Sequence, residues 1–200
     1  MDMLVADLEG VLLPEIWINV ALKTGIEELK LTTRDISDYN VLMTRRLALL
    51  KEHNLRIQDI QSVIATLEPL PGAREALDWI RSRSQIIILS DTFEEFAKPL
   101  MPGLGFPTLL CHSLTIDNQG NITDYNLRID NQKQKAVEAF KGLHYQVTAF
   151  GDSYNDIDMI QAAHQGFFFK PPASVITDFP DIPVTRNYDE LKAMIASLLH

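Results

Sequence analysis

Val5-Ala6-Asp7-Leu8-Glu9-Gly10-Val11-Leu12 ends a short apolar run in a carboxylate and follows it with a second acid and a glycine. The run reads as a buried strand that delivers Asp7 to a sheet edge, where Gly10 lets the backbone turn closely around whatever binds. Val11, Leu12 and Leu13 are apolar enough to pack beneath the exit. In open α/β sheets ligands collect beyond the carboxyl ends of strands, so an acid in this place is a candidate for chemistry. Alone, it is as readily a turn former or a helix cap.

The chain that follows supports a sheet. Pro14 opens a predicted helix to about Thr24 with Gly25 as its stop. Further helices are expected over about 38–53 and 58–67, the last with Ile60, Val63, Ile64 and Leu67 at i, i+3, i+4 and i+7. Three helices before the next strand are too many for a simple crossover, so residues 14–68 read as a small helical cap lobe. Pro69-Leu70-Pro71-Gly72 marks the return to the main domain. Thereafter strands and helices alternate: helix 72–83, strand 85–89, helix 93–101, strand 108–112, a hairpin about Asn118-Gln119-Gly120-Asn121, helix 133–143, strand 146–150, helix 156–164, strand 166–169, helix 173–179, an edge strand from Val184 and helix 188–199. Ile86-Ile87-Ile88-Leu89 suits a strand buried on both faces. The expectation is an α/β fold, a doubly wound and mostly parallel sheet formed by residues 1–13 and 69–200.

The 200 residues, 46% of them hydrophobic, suffice for one well-buried core. A formal charge of −9 argues against nucleic acid or an anionic membrane as partner, so any phosphate must be held locally by a few cations and amides. Cys111 is the single cysteine, which excludes an intramolecular disulfide or a cysteine-based zinc site, and it reads as a small buried hydrophobe. The N-terminus has no basic leader, and no apolar run approaches the ~18 residues of a membrane span, so a cytoplasmic protein is expected. The five histidines share no metal-ligand spacing.

Three later stretches bear on Asp7: Ile88-Leu89-Ser90-Asp91-Thr92, Lys133 in Asn131-Gln132-Lys133, and Gly151-Asp152-Ser153-Tyr154-Asn155-Asp156. Each follows a strand-like run or opens a helix, in the order nucleophile, hydroxyl, lysine, carboxylates. This ordered set resembles the four motifs of the haloacid dehalogenase superfamily of phosphotransferases, across almost the whole chain. Asp7 to Leu12 followed by Pro14-Glu15-Ile16-Trp17, with Ser90-Asp91-Thr92-Phe93 and Gly151 to Asp156, is similar to the branch combining phosphoserine phosphatase with homoserine phosphotransferase activity.

The resemblance implies a Rossmannoid core of that superfamily with a helical cap. Asp7 would be the nucleophile and form an aspartyl-phosphate. Mg²⁺ would be held by Asp7, Asp152 and the backbone carbonyl of Glu9, with Asp156 behind them or completing the site. Ser90, Asp91, Lys133 and Asn155 would bind the phosphoryl end of the substrate. For Ser90 a helix cap is the structural alternative, and Lys135 is the alternative to Lys133. Glu15 and Arg46 match the positions that grip the ammonium and carboxylate of phosphoserine, a pairing suited to a carboxylate and a guanidinium fork. Arg45 points elsewhere on the same helix. Trp17 and Phe93 read as packing.

Glu9 departs from the superfamily pattern, which has Asp two residues after the nucleophile as general acid and base. The extra methylene moves the carboxylate by about 1.5 Å, enough to alter proton transfer. The expected activity is Mg²⁺-dependent hydrolysis of phosphoserine, with transfer to homoserine. The alternatives are a phosphatase for another small phosphorylated metabolite and a non-catalytic binder of such a metabolite. The sequence leaves the oligomeric state open, with a homodimer the assembly to consider.

Overall fold

The computed structural model describes residues 1–32, 35–36 and 38–199. Seven strands form one sheet in the order β4-β3-β2-β1-β5-β6-β7. They are β1 Asp2–Ala6, β2 Gln85–Phe93, β3 Thr108–Ile116, β4 Ile122–Asn126, β5 Gln146–Gly151, β6 Gln165–Phe169 and β7 Val184–Thr185. All neighbours pair in parallel except β3 and β4, which form the hairpin read from Asn118-Gln119-Gly120-Asn121. β1 lies between β2 and β5, so the chain order reverses at its carboxyl end, where ligands bind in doubly wound sheets.

β1 is buried on both faces, as its apolar run requires. Met3 and Val5 pack with Leu89, Val137, Val147 and Met159, while Leu4 and Ala6 join the larger core on the other side. Helices α4 (Ala73–Arg81) and α9 (Tyr188–Leu198) cover that larger core, and α6 (Gln132–Gly142) and α7 (Ile157–Ala162) cover the first face. A short α8 spans Ala173–Asp178.

Between β1 and β2 lie α1 (Ile16–Thr24), a 3-10 turn at Glu27–Lys30, α2 (Tyr39–Glu52) and α3 (Ile57–Ile64). α1 stops at Gly25, whose φ of 74° is the left-handed conformation anticipated there. α2 begins where the Asp38 side chain accepts hydrogen bonds from Asn40 N and Val41 N. These helices join the larger core through Trp17, Val20, Leu50, Ile57 and Ile60.

Several expected elements differ in extent: β3 runs on from 112 to Ile116, the helix expected to reach 67 ends at Ile64, and two differences bear on the site. The helix expected over 93–101 is only α5, Glu94–Ala97, because Pro99 has no N–H to continue it. β2 runs on to Phe93 with a register shift against β3 between Leu89 and Phe93. Ser90, Asp91 and Thr92 therefore sit in an irregular strand end and do not cap a helix. Cys111 is half-buried. Among the described residues no helix is long and apolar enough to cross a membrane.

Candidate active site

Asp7 continues the pairing of β1 by donating its N–H to Phe150 O at 3.0 Å, and its carboxylate is buried. The chain then turns through Gly10 at φ 75°, where an added Cβ would run into the Asp152 carboxylate. Gly151 makes the same close approach to the Asp156 carboxylate. Two glycines thus admit the acids that end β5 to the acid that ends β1. Oxygens of Asp7, Asp152 and Asp156 lie within 4.8 Å of one another.

Lys133 stands in the first turn of α6, where a cation opposes the helix dipole. Its surroundings explain the placement: Nζ donates to Asp7 Oδ1 and to Asp156 Oδ1, each at 2.8 Å, and lies 3.8 Å from Asp91 Oδ2. Burial works against its charge, but Asp156, Asp7 and Asp91 more than offset that and hold its pKa well above the usual lysine value. Lys135 is exposed. Asp156 also acts as a brace: its other oxygen accepts from Asp152 N at 2.9 Å and Ser153 N at 3.1 Å.

Three buried acids against one ammonium leave an excess of negative charge. Burial pushes the Asp7 pKa well up, Asp156 adds to it, and Lys133 offsets them only in part. A hard divalent cation coordinated by oxygen would relieve that excess, and the all-carboxylate donor set fits one.

Glu9 bridges to Leu13 across the turn that follows it, and its Oε2 accepts the Ile16 N–H at 2.8 Å at the start of α1. Burial, then the nearby Glu15, push its pKa up to about 7, against the Ile16 hydrogen bond, Arg46 and Lys133. Its carboxyl is thus set to exchange a proton near neutrality. Glu9, Glu15 and Arg46 line one chamber of about 90 Å³ with Asp7, Ser90, Asp91, Asp152 and Asn155. Six of the residues read from the motifs and both from the cap therefore meet in one space, and Lys133, which lines the neighbouring cavity, bonds to Asp7.

Arg46 is 7% exposed and lies over the Trp17 ring, 4.5 Å from its centroid. One Nη donates to Leu31 O at 2.8 Å, while Nε is buried with no partner among the described residues. Arg45 is exposed. Ser90 is buried, and its Oγ accepts from Thr92 N at 3.2 Å. Asn155 is exposed and donates to Asp91 Oδ2 at 3.2 Å.

Sequence reasoning missed several neighbours. Trp17 belongs to the core, in edge contact with Phe96, yet also lines the chamber beneath Arg46. Gln132 is buried and donates to Ser90 O at 2.6 Å and Asp91 Oδ1 at 3.2 Å, joining the start of α6 to the end of β2. His112 is buried 3.7 Å from Asp91 Oδ1, its Nδ1 accepting from Arg128 N. For both, the only sequence signal was proximity to Lys133 and to a strand. Tyr39 had a clearer one, since positions 39, 43 and 46 share a helix face with Arg46.

The haloacid dehalogenase-like hydrolase family model matches residues 1–164. The phosphoserine phosphatase ThrH of Pseudomonas aeruginosa is 56% identical over 192 residues, 96% of this chain and 94% of that one. A phosphoserine phosphatase of Pseudomonas syringae pv. tomato is also 56% identical, over 93% of this chain and 78% of its own. Among solved structures, a phosphoserine phosphatase from T. onnurineus superposes with a TM-score of 0.76 at 22% identity, covering 97% of this chain and 94% of that one. A substrate-bound phosphoserine phosphatase complex gives 0.77 at 21% identity, over 100% and 98%. At such identities these two structures speak for the fold. With the sheet order, the cluster around Asp7 and the matches over nearly its whole length, this chain belongs to the haloacid dehalogenase-like hydrolases.

Proposed function

We propose that the chain is a Mg²⁺-dependent phosphoserine phosphatase that works through an aspartyl-phosphate on Asp7 and also passes the phosphoryl group to homoserine. The observation that carries this reading is the pairing, in one chamber, of the Asp7 carboxylate with a buried Arg46 whose Nε has no partner among the described residues. An unmet buried guanidinium donor suits a carboxylate on the ligand, and Glu15 in the same chamber suits its ammonium. The two Pseudomonas relatives named above are phosphoserine phosphatases by name, which supports the phosphatase half of the reading.

In this reading residues 14–68 form the cap that supplies Glu15 and Arg46, and residues 1–13 and 69–200 supply the phosphoryl site. A carboxylate oxygen of Asp7 attacks phosphorus as the bond to the serine oxygen breaks, and Glu9 gives its proton to that oxygen. Lys133 and the Ser90 hydroxyl hold the phosphoryl oxygens in place. Glu9 then takes a proton from a water whose oxygen bonds to phosphorus as the bond from phosphorus to the Asp7 carboxylate oxygen breaks, releasing phosphate and restoring Asp7. Asp7, Asp152 and the Glu9 backbone carbonyl would hold Mg²⁺, which supplies charge stabilisation to the phosphoryl oxygens.

Homoserine carries the same ammonium and carboxylate as serine, with its hydroxyl one methylene further out. The grip that releases serine would admit it and aim that hydroxyl at the phosphorylated Asp7. Purified protein given phosphoserine, homoserine and Mg²⁺ is expected to yield phosphate and phosphohomoserine, resolved by phosphorus NMR. Phosphate as sole product at saturating homoserine removes the transferase half, and no release of either removes the phosphatase as well.

A further inference from the structure

Away from the chamber over Asp7, an open groove of about 650 Å³ lies along β3 from Leu109 to Ser113, where β4 pairs only with the last of these residues. Four steps of strand make it roughly 13 Å long. Its volume falls within the roughly 300–1,000 Å³ of sites that hold small molecules.

The two ends differ in chemistry. At one, Phe106 N donates to Met101 O at 2.9 Å, which sets Met101 beside Phe106, Pro107 and Leu109 as an apolar wall. Gly105 at φ 68° and Phe106 at φ 53° follow one another in the left-handed conformation, and Phe106 is 72% exposed. A bulky L residue adopts that conformation against steric resistance, and such departures gather at binding sites. The other end is charged. Phe93 pairs with His112, so Glu94 enters beside it, and Ser113 pairs with Asn126, two residues before Arg128. Glu94 and Arg128 both act on the Cys111 thiol between them, which burial, then Glu94 and Glu95, push up to about 11 against Arg128. Among the described residues neither Glu94 nor Arg128 is in an ion pair.

We propose that this groove binds an α-amino acid with a long apolar or aromatic side chain: Arg128 takes its carboxylate, Glu94 its ammonium, and Met101, Phe106 and Leu109 its side chain. An acid and a base side by side match the zwitterionic head, and the apolar wall further along the strand matches the tail. The groove also reaches the catalytic centre. Arg128 Nη2 donates to Gln132 Oε1 at 3.2 Å, and Gln132 donates in turn to Ser90 O at 2.6 Å. A ligand carboxylate competes with Gln132 for the guanidinium, so occupancy of the groove loosens the hold on Ser90 and weakens phosphoserine turnover. That coupling rests on the phosphoserine reading, while the binding site does not.

L-Phenylalanine, titrated into the full chain by calorimetry, is the probe. Binding is expected in the parent and, within about twofold, in R46M, which removes the carboxylate grip of the chamber over Asp7. F106D trims the apolar end and R128M the charged end, both at exposed positions, and each is expected to weaken binding at least about fivefold. Saturating phenylalanine is expected to lower kcat/KM for phosphoserine about threefold to tenfold in the parent and to leave R128M unaffected. If the parent hydrolyses no phosphoserine yet binds phenylalanine in this pattern, the phosphatase reading fails and the groove stands. No binding by the parent up to about 10 mM, binding lost in R46M, or binding unchanged in F106D or R128M overturns the site. Should one of these two variants fail to fold, the other decides. Binding with phosphoserine turnover unchanged overturns the coupling through Gln132.

Discussion

Replacing Arg46 with methionine separates what the guanidinium does for the ligand from what it does for the fold. Burial lowers its pKa to about 10, against the opposing influence of Tyr39, Glu9 and Glu15. Holding the charge in place therefore costs on the order of 3 kcal/mol. For a base whose folded pKa lies below the unfolded one, that cost is fully present at neutral pH and is relieved as pH rises through the folded value. The contact with Trp17 returns about 0.5–2 kcal/mol and the bond to Leu31 O about 1.5–3 kcal/mol. These terms nearly cancel, so R46M should match the parent in stability to within about 1 kcal/mol by urea denaturation. Activity behaves differently, because the ligand carboxylate loses a charge-assisted partner. A loss of about 1.5–3 kcal/mol lowers kcat/KM for phosphoserine roughly tenfold to 150-fold. p-Nitrophenyl phosphate has no carboxylate and should lose less than about threefold. Equal losses on both substrates, with a fall in stability of several kcal/mol, would refute the recognition argument and make Arg46 a structural residue.

Three further outcomes follow from the same geometry. K133M leaves Asp7 and Asp156 buried without their ammonium, so it should destabilise the protein by about 3–5 kcal/mol, and Mg²⁺ titration should restore part of the loss in thermal melts. G10A meets both a left-handed φ and the Asp152 carboxylate, and is expected to lower phosphatase activity more than tenfold. For Asp91, burial raises the pKa but Lys133, His112, Asn155 and Gln132 more than offset it, so the folded value lies below the unfolded one. Its contribution is present above the unfolded pKa and is lost as pH falls through the folded one. D91N should thus be about 1–2 kcal/mol less stable than the parent at pH 7, with the gap closing below about pH 4 in urea denaturation.

The central strand was legible because burial on both faces demands an unbroken apolar run, and β1 and β2 both supply one. The polar ends of these strands were legible for the complementary reason, since an acid or hydroxyl directly after such a run has nowhere to go but the sheet edge. Lys133 stood out by opposing the dipole of its own helix, and the ion pairs to Asp7 and Asp156 supply the compensation. The end of β2 was misread because Ser90-Asp91-Thr92 has the composition of a helix cap, while the brevity of α5 turns on Pro99. Gln132 and His112 were invisible because their partners lie 42 and 21 positions away, a separation that no local pattern encodes. Trp17 was half legible: an aromatic at helical spacing predicts core, and only the approach of α2 places a guanidinium on its ring.

The central claim is that Asp7 is covalently phosphorylated during turnover. Mixing the protein with phosphoserine and Mg²⁺, quenching in acid within one turnover, digesting with an acid-stable protease and sequencing the peptides by mass spectrometry tests it directly. The account predicts an acyl-phosphate on Asp7 in the parent, one that both forms and decays more slowly in E9Q, which lacks the acid of the first step and the base of the second, and none in D7N. Full hydrolysis of phosphoserine by D7N, or turnover in the parent with no phosphorylated Asp7 at any quench time, would contradict it.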